Sequence, residues 1–328
     1  MVLVSVVIPA VQADRFLRST LASIRSQDLP PETDVEIVVA LKEPTDAELG
    51  GAMTVANPSG SIPAGLNAAL AASTGSIVLR CDSRCDLPPD YITRCLDHLS
   101  NPTIGMVGGA PLVIDDGLVG GAYGIAFNSP LLGPSRHRYS RVSGPIESPY
   151  LGAWRREVLV ELGAWDERLL RNQDNELADR VQAAGLTVWY DHTLVVGYVA
   201  GRPLEGILRH HHGFGRWRMA QRSLEQTALT PRHRAAVGGL VAGGAGAALT
   251  ARRLPPRALL ALGAATYGAA VAVGSVTSAR LQSARPDLHI HPQPVSRLLA
   301  PALAAAINGA WALGLIRGLI ERTDSPSG

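Results

Sequence analysis

Two acidic clusters carry the residue types for chemistry in this sequence. Val78-Leu79-Arg80-Cys81-Asp82-Ser83-Arg84-Cys85-Asp86 reads as an apolar strand that runs into an acidic turn. Asn172-Gln173-Asp174-Asn175-Glu176 sits at the start of a helical pattern. A carboxylate just past a strand end, as at Asp82, suits a divalent cation bridging a diphosphate, where the metal neutralises charge developing on the leaving phosphate. Asp174 has the residue type of a general base for an acceptor hydroxyl, provided the fold brings it opposite Asp82. Simpler roles compete. Asp82 can be an ordinary turn aspartate, Asp86 can cap the helix opened by Pro88-Pro89, and Asp174 can serve the helix dipole. Glu176 is placed to pair with Arg180 four residues on. His210-His211-His212 resembles a metal tract, but consecutive helical residues point about 100° apart, so three neighbours cannot share one ion. With Arg209, Arg216, Trp217 and Arg218 the segment reads instead as a basic, aromatic interfacial helix.

Positioning these residues falls to an alternation of strands and helices. Val4-Ser5-Val6-Val7-Ile8 is continuous and β-branched, as a strand buried on both faces requires. Asp14 can cap a helix from about Arg15 to Ser26. Val35–Ala40 is a second strand and Met53–Val55 a weak third. Pro63–Ala72 reads as a helix closed by Thr74-Gly75, and Ser76–Cys81 as a fourth strand. The pattern predicts a doubly wound α/β sheet, with ligands at the carboxyl ends of the strands. Beyond it come a helix over Tyr91–Leu99, strand material at Gly105–Gly109 and Leu112–Ile114, and an irregular Gly-, Ser- and Arg-rich segment over 115–148. Tyr150-Leu151-Gly152-Ala153-Trp154 precedes a helix over Arg155–Leu162. A helix over Gln173–Ala184, a strand at Thr187–Tyr190, and a helix over Leu204–Ser223 broken near Gly213-Phe214-Gly215 follow.

The 328 residues suffice for one large domain and an appendage. The net charge of +2 is too mild for nucleic-acid binding. Cys81, Cys85 and Cys95, an odd number without a Cys-x-x-Cys pair, read as buried thiols in a reducing compartment. Val2–Ala10 is too short for a secretory signal and better fits a first strand. Three apolar stretches, about 235–250, 258–279 and 298–316, follow the basic helix. The second and third have the length of a membrane span and the first is borderline. Arginines flank all three, so the charge pattern leaves their topology open. A soluble Ala/Gly-rich helical bundle is the competing reading. The division expected is therefore 1–225 for the α/β domain and 226–328 for a membrane-associated helical region.

Taken in order, Val4-Ser5-Val6-Val7-Ile8-Pro9, Gly65-Leu66-Asn67, Asp82-Ser83-Arg84, Tyr150-Leu151-Gly152-Ala153-Trp154-Arg155-Arg156, Gly163-Ala164-Trp165-Asp166-Glu167 and Arg171-Asn172-Gln173-Asp174-Asn175-Glu176-Leu177 carry a resemblance. Over about residues 3–220 the chain resembles family 2 glycosyltransferases of GT-A fold, in particular the succinoglycan-type, membrane-associated transferases of bacterial exopolysaccharide synthesis. The resemblance implies a GT-A type mixed sheet flanked by helices and an inverting sugar transfer from a nucleotide-diphospho-sugar, with Mg²⁺ or Mn²⁺ as cofactor. The acceptor implied is lipid-linked or a glycan, at the cytoplasmic face of the cell membrane. Asp174 matches the family's catalytic aspartate. Asp82 matches the first carboxylate of its DxD motif, the metal ligand. Pro9, Ala10, Lys42, Asn67, Asp82 and Ser83 fall on the donor side, and Trp154 and Gln173 on the acceptor side, Trp154 as a stacking platform. Arg216 and Trp217 match a late element that gates the diphosphate.

The sequence departs from the family pattern at three points. Arg84 stands at the third DxD position, Ala40-Leu41-Lys42-Glu43 replaces an Asp-rich strand end, and Gln173 replaces the glutamate before the catalytic aspartate. Those departures motivate one rival, a catalytically weak or inactive GT-A-like membrane scaffold, against which the intact Asp174 argues. A nucleotidyltransferase would want a Gly-rich, basic loop after the first strand, and Pro9-Ala10-Val11-Gln12-Ala13 is neither.

Overall fold

The computed structural model describes residues 1–43, 48–132, 135–225, 255–288, 290 and 292–321. The expected apolar stretch over 235–250 lies outside them. The chain opens with β1 (Val2–Ala10), α1 (Arg15–Arg25), β2 (Thr33–Leu41), β3 (Met53–Ala56), α2 (Ile62–Ala72) and β4 (Ile77–Arg80). β1 pairs in parallel with β2 and β4, and β2 with β3. Local chemistry sets the helix starts. The Asp14 carboxylate accepts from the Leu17 amide at 2.9 Å, and the Ser61 hydroxyl from the Ala64 amide at 3.3 Å. Helix α2 closes at Ser73, just before the expected Thr74-Gly75.

The second half continues with β5 (Cys85–Asp86), α3 (Tyr91–Leu99), β6 (Ile104–Val113), α4 (Gly117–Phe127), β7 (Gly144–Pro145), β8 (Tyr150–Arg155), α5 (Arg156–Glu161), α6 (Gln173–Ala183) and β9 (Thr187–Tyr198). These strands extend the same sheet in the order β3-β2-β1-β4-β8-β6-β9-β5, with β7 on β9. β8 is antiparallel to both β4 and β6, while β6 and β9 run parallel, so the sheet is mixed. One apolar layer packs α1 and α3 against one face, and a second packs α2, α5 and α6 against the other.

Several elements differ from the sequence reading. Tyr150–Arg155 is a central strand, and the expected helix follows it directly as α5. β9 runs to Tyr198, and the two pieces expected over 105–114 are one strand. Within the segment read as irregular lies α4, whose Gly- and Ala-rich sequence is apolar on every side and shows no helical stripe. From Gly121 to Ala126 it is buried: Gly124 sits over Val113 of β6, and Gly121 against Ser296.

The chain ends in α7 (Leu204–Glu225), α8 (Pro256–Gln282) and α9 (Pro294–Ile320). α7 is continuous through Gly213-Phe214-Gly215. Its Gly215 faces Gly314 of α9, where a Cβ at 215 would overlap the Trp311 carbonyl and one at 314 the His212 carbonyl. The glycines are there for close approach of two helices, not for a break. α4, α7 and α9 share an apolar core that includes Tyr123, Ile207, Ala300, Leu303 and Ile307. α8 and α9 are each long and apolar enough to cross a membrane. Leu260, Leu262, Val273 and Val276 leave α8 with an exposed apolar surface. Between α8 and α9, the buried Arg285 pairs with Asp86, and donates to the Asp86 carbonyl at 3.1 Å and the Val195 carbonyl at 2.9 Å. Asp86 therefore ties the C-terminal helices to β5 and does not cap a helix.

Candidate active site

A cavity of about 1470 Å³ opens at the carboxyl ends of β1 and β4. Pro9, Ala10, Asp82, Ser83, Gln173, Asp174 and Trp217 line it, so seven of the expected site residues come together. Its far wall comes from α7 and α9, through Trp217 and Trp311 among others.

At its centre is a bridge that joins the two acidic clusters. Arg80, the last residue of β4, is 6% exposed. Its guanidinium donates to Asp82 Oδ1 at 2.6 Å and, through the other terminal nitrogen, to Asp174 Oδ2. Asp82 Oδ2 accepts from the Tyr150 hydroxyl at 3.3 Å. Burial acts to strip the proton from Arg80, but Asp174 and Asp82 more than offset it and the group stays cationic. Burial pushes the Asp174 carboxyl above its ordinary value, and Arg80 opposes the push. Asp174 Oδ1 is buried without a hydrogen bond of normal geometry; the Trp165 indole N–H, equally unpartnered, is near enough to favour the anion.

Local structure aims these groups. Asn172 sits in the left-handed region at φ 66°, which asparagine tolerates, and turns the chain sharply into α6 so that Asp174 meets the cavity. Glu176 and Arg180 pair at 2.6 Å on the same helix, as their spacing predicts. In β8, Leu151 at φ 53° interrupts the alternation of faces. Tyr150 therefore reaches Asp82, while Trp154 enters the opposite layer.

Four expected site residues stand elsewhere. Trp154 is fully buried, edge-on to Trp165 at 5.6 Å, and cannot stack on an acceptor. Asn67 clamps the turn before α6: its amide donates to the Trp165 carbonyl at 2.8 Å and to Glu167 at 3.0 Å, and its oxygen accepts from the Trp165 amide. The exposed Lys42 lays its stem over Gly60 and does not line the cavity. Arg216 pairs with Glu321 at 2.7 Å, leaving Trp217 and Arg218 on the wall.

Other lining residues escaped the sequence reading. Arg80 itself carried a signal, a charged residue closing an apolar strand, since a buried cation demands partners. Arg171 donates to His210 Nδ1 at 2.9 Å, Arg202 donates to the Tyr198 hydroxyl at 2.9 Å, and His211 lies 3.2 Å from the Tyr123 hydroxyl. Burial, with Arg202 adding to it, lowers His210 to about 2; burial and Arg138 lower His211 to about 3. Both are neutral at ordinary pH, and neither belongs to a metal-binding group among the described residues.

Mg²⁺ or Mn²⁺ would find a poor donor set in this chain. Asp82 is the one carboxylate at the expected position, and both of its oxygens are engaged. Arg84, at the other DxD position, lies over the Phe16 ring at 4.8 Å and 3.7 Å from Asp14. The residues present do not fit a resident divalent ion.

The family model for glycosyl transferase family 2 matches residues 5–163, a span that includes Asp82 and Tyr150 and ends before Asp174. Over residues 5–163 the chain is similar to glycosyl transferase family 2. The fold of the chain agrees with that of the mannosyltransferase PcManGT from Pyrobaculum calidifontis, solved with GDP-Man and Mn²⁺. The TM-score is 0.51 at 19% identity over 97% of this chain and 87% of that one. S. aureus TarS 1-349 matches at TM-score 0.43 and 15% identity, and its UDP complex at 0.47 and 14%, each over 66% of this chain and 64% of the other. No curated protein sequence matches the chain significantly. The sheet is of GT-A type, and the two apolar C-terminal helices are candidate membrane spans.

Proposed function

We propose that the chain is an inverting glycosyltransferase that moves a sugar from a nucleotide-diphospho-sugar to a lipid-linked or polysaccharide acceptor at the cytoplasmic face of the membrane. Asp174 is its general base. The bridge Asp82–Arg80–Asp174, inside a cavity at the strand ends of a family 2 domain, carries this reading. In a single displacement the acceptor oxygen attacks the anomeric carbon from the face opposite the diphosphate. The new C–O bond forms as the bond to the leaving phosphate breaks, and the hydroxyl proton passes to Asp174. Arg80 holds Oδ2 and favours the ionised carboxylate that takes that proton. Pro9, Ala10 and Ser83 line the side of the cavity assigned to the donor, and Gln173 the side assigned to the acceptor. The family implies Mg²⁺ or Mn²⁺, but no step here runs through the ion, because the chain offers it only the engaged Asp82.

Functionally, residues 1–225 would carry the reaction and 226–328 the membrane attachment. The basic flanks of the apolar helices and the exposed surface of α8 support the attachment. The membrane helix α9 contributes Ile307, Asn308 and Trp311 to the cavity, which favours an acceptor presented at the bilayer.

The test uses the full chain in detergent with a panel of nucleotide sugars. A true donor raises the melting temperature, as any ligand selective for the native state does. Asp174→Asn should lower transfer by about 10²–10⁴-fold, the usual contribution of a general base, and leave that stabilisation intact. Full turnover by Asp174→Asn rejects the assignment. A panel in which nothing is bound or turned over favours the scaffold reading.

A further inference from the structure

A leaving diphosphate needs positive charge, and the cavity holds it in side chains. Arg80, Arg84, Arg136, Arg138, Arg171, Arg202 and Arg218 line it against three carboxylates, Asp82, Glu147 and Asp174. Two of those three are occupied by Arg80.

Arg171 and Arg202 are part-buried and are held by neutral groups. Among the described residues neither forms an ion pair with a carboxylate. Arg171 donates to the neutral His210 at 2.9 Å and lies over the Phe214 ring at 5.4 Å. Arg202 donates to the Tyr198 hydroxyl. The nearest acid to influence Arg202, Asp115, is already bonded to the Gly201 amide at 3.0 Å. The two guanidiniums repel one another, and burial together with that repulsion weakens the hold of Arg171 on its proton. Two half-buried cations kept together without a counter-ion describe a site for an anion with more than one charge.

Arg202 ties the pair to the donor side of the acid bridge, and Arg171 is near enough to repel it. Arg171 is three residues before Asp174. Arg202 leads through Tyr198 to Tyr150, the two rings 6.0 Å apart, and Tyr150 bonds Asp82. Both arginines thus border the cavity beside the acid bridge. The planar fork of arginine suits two phosphate oxygens at once.

We propose that Arg171 and Arg202 clamp the donor diphosphate and take the place of a divalent cation in stabilising the departing charge. The proposal rests on the transferase reading. As the bond from the anomeric carbon to the phosphate oxygen breaks, the electron pair stays on the diphosphate, which the two guanidiniums already hold, and the acceptor proton goes to Asp174. No metal is required to balance the step.

Inorganic pyrophosphate is the probe, titrated calorimetrically into the full chain in detergent micelles with EDTA present. One-site binding is expected in EDTA, together with a rise in melting temperature of the wild-type protein that needs no variant to read. Arg171→Gln and Arg202→Gln should each weaken binding at least tenfold, and Arg171→Lys by less. Arg168→Gln, whose partner is the exposed pair with Asp166, should leave it unchanged. Binding that appears only with Mn²⁺, or that survives both glutamine substitutions in folded protein, overturns the proposal. Transfer assays separate its failure from that of the underlying function. If a nucleotide sugar is turned over but turnover stops in EDTA, the transferase reading stands and the clamp falls. If pyrophosphate binds through both arginines in EDTA while no sugar is transferred, the clamp stands and the transferase reading falls.

Discussion

At Arg80 a guanidinium with almost no exposed surface holds two carboxylates that are far apart in sequence; both acids strengthen its hold on its proton, and it opposes the effect of burial on Asp174. A general base must be ionised, so activity falls as pH drops through the raised value of Asp174. Arg80 lowers that value against the effect of burial; Arg80→Gln therefore moves the acid limb of the kcat/KM profile to higher pH. An unmoved limb would show that Asp174 is not the titrating base. The same substitution leaves two part-buried acids unpaired and destabilises the fold, so the profile belongs to protein that retains its melting transition. At this scale the sequence was informative about carboxylates and poor on aromatics. Asp82 and Asp174 could be singled out because a strand end and a helix start put them at the ligand side of the sheet. Trp154 could not, because one left-handed residue, Leu151, swapped which aromatic of β8 faces the cavity. Asn67 and Arg216 matched a family pattern by order alone, Lys42 stands where the chain departs from it, and the contacts of all three go elsewhere.

Among the elements, α4, α7 and α9 are held by close approach rather than by amphipathic stripes. Gly215→Val puts side-chain atoms into the Trp311 carbonyl and forces α7 and α9 apart. Overpacking of this kind costs about 1–3 kcal/mol, read as a lower melting temperature and faster proteolysis between α8 and α9. A variant as stable as wild type would mean that the helices do not depend on this contact. This architecture also explains what sequence patterning captured. The parallel strands of the first half announce themselves as β-branched runs, and α1 by its cap. α4 is apolar all round, and Gly213-Phe214-Gly215 mimics a break, because both serve helix–helix contacts that no local pattern encodes.

For the whole molecule, the boundary expected at residue 225 divides roles more cleanly than it divides packing. The core shared by α4, α7 and α9 includes Tyr123, Ile207 and Ile307. A chain of residues 1–225 lacks the α9 part of this core and one wall of the cavity. It is expected to bind a hydrophobic dye and to aggregate on size-exclusion chromatography. A monodisperse, dye-negative 1–225 fragment would show that the α/β domain closes its own core. Composition identified the apolar helices, but only their tertiary contacts reveal that one of them borders the candidate active site.

Arg285 gives this arrangement a mechanical meaning. It stands between the two apolar helices, buried, and grips both β5, through Asp86, and β9, through Val195. β5 begins three residues after Asp82. A tilt or vertical shift of the helix pair must break those bonds or carry β5 with it. The link between helices and cavity is thus a rigid bracket and not a leash: with the helices in a bilayer, as proposed, their seating would set the height and attitude of the cavity mouth.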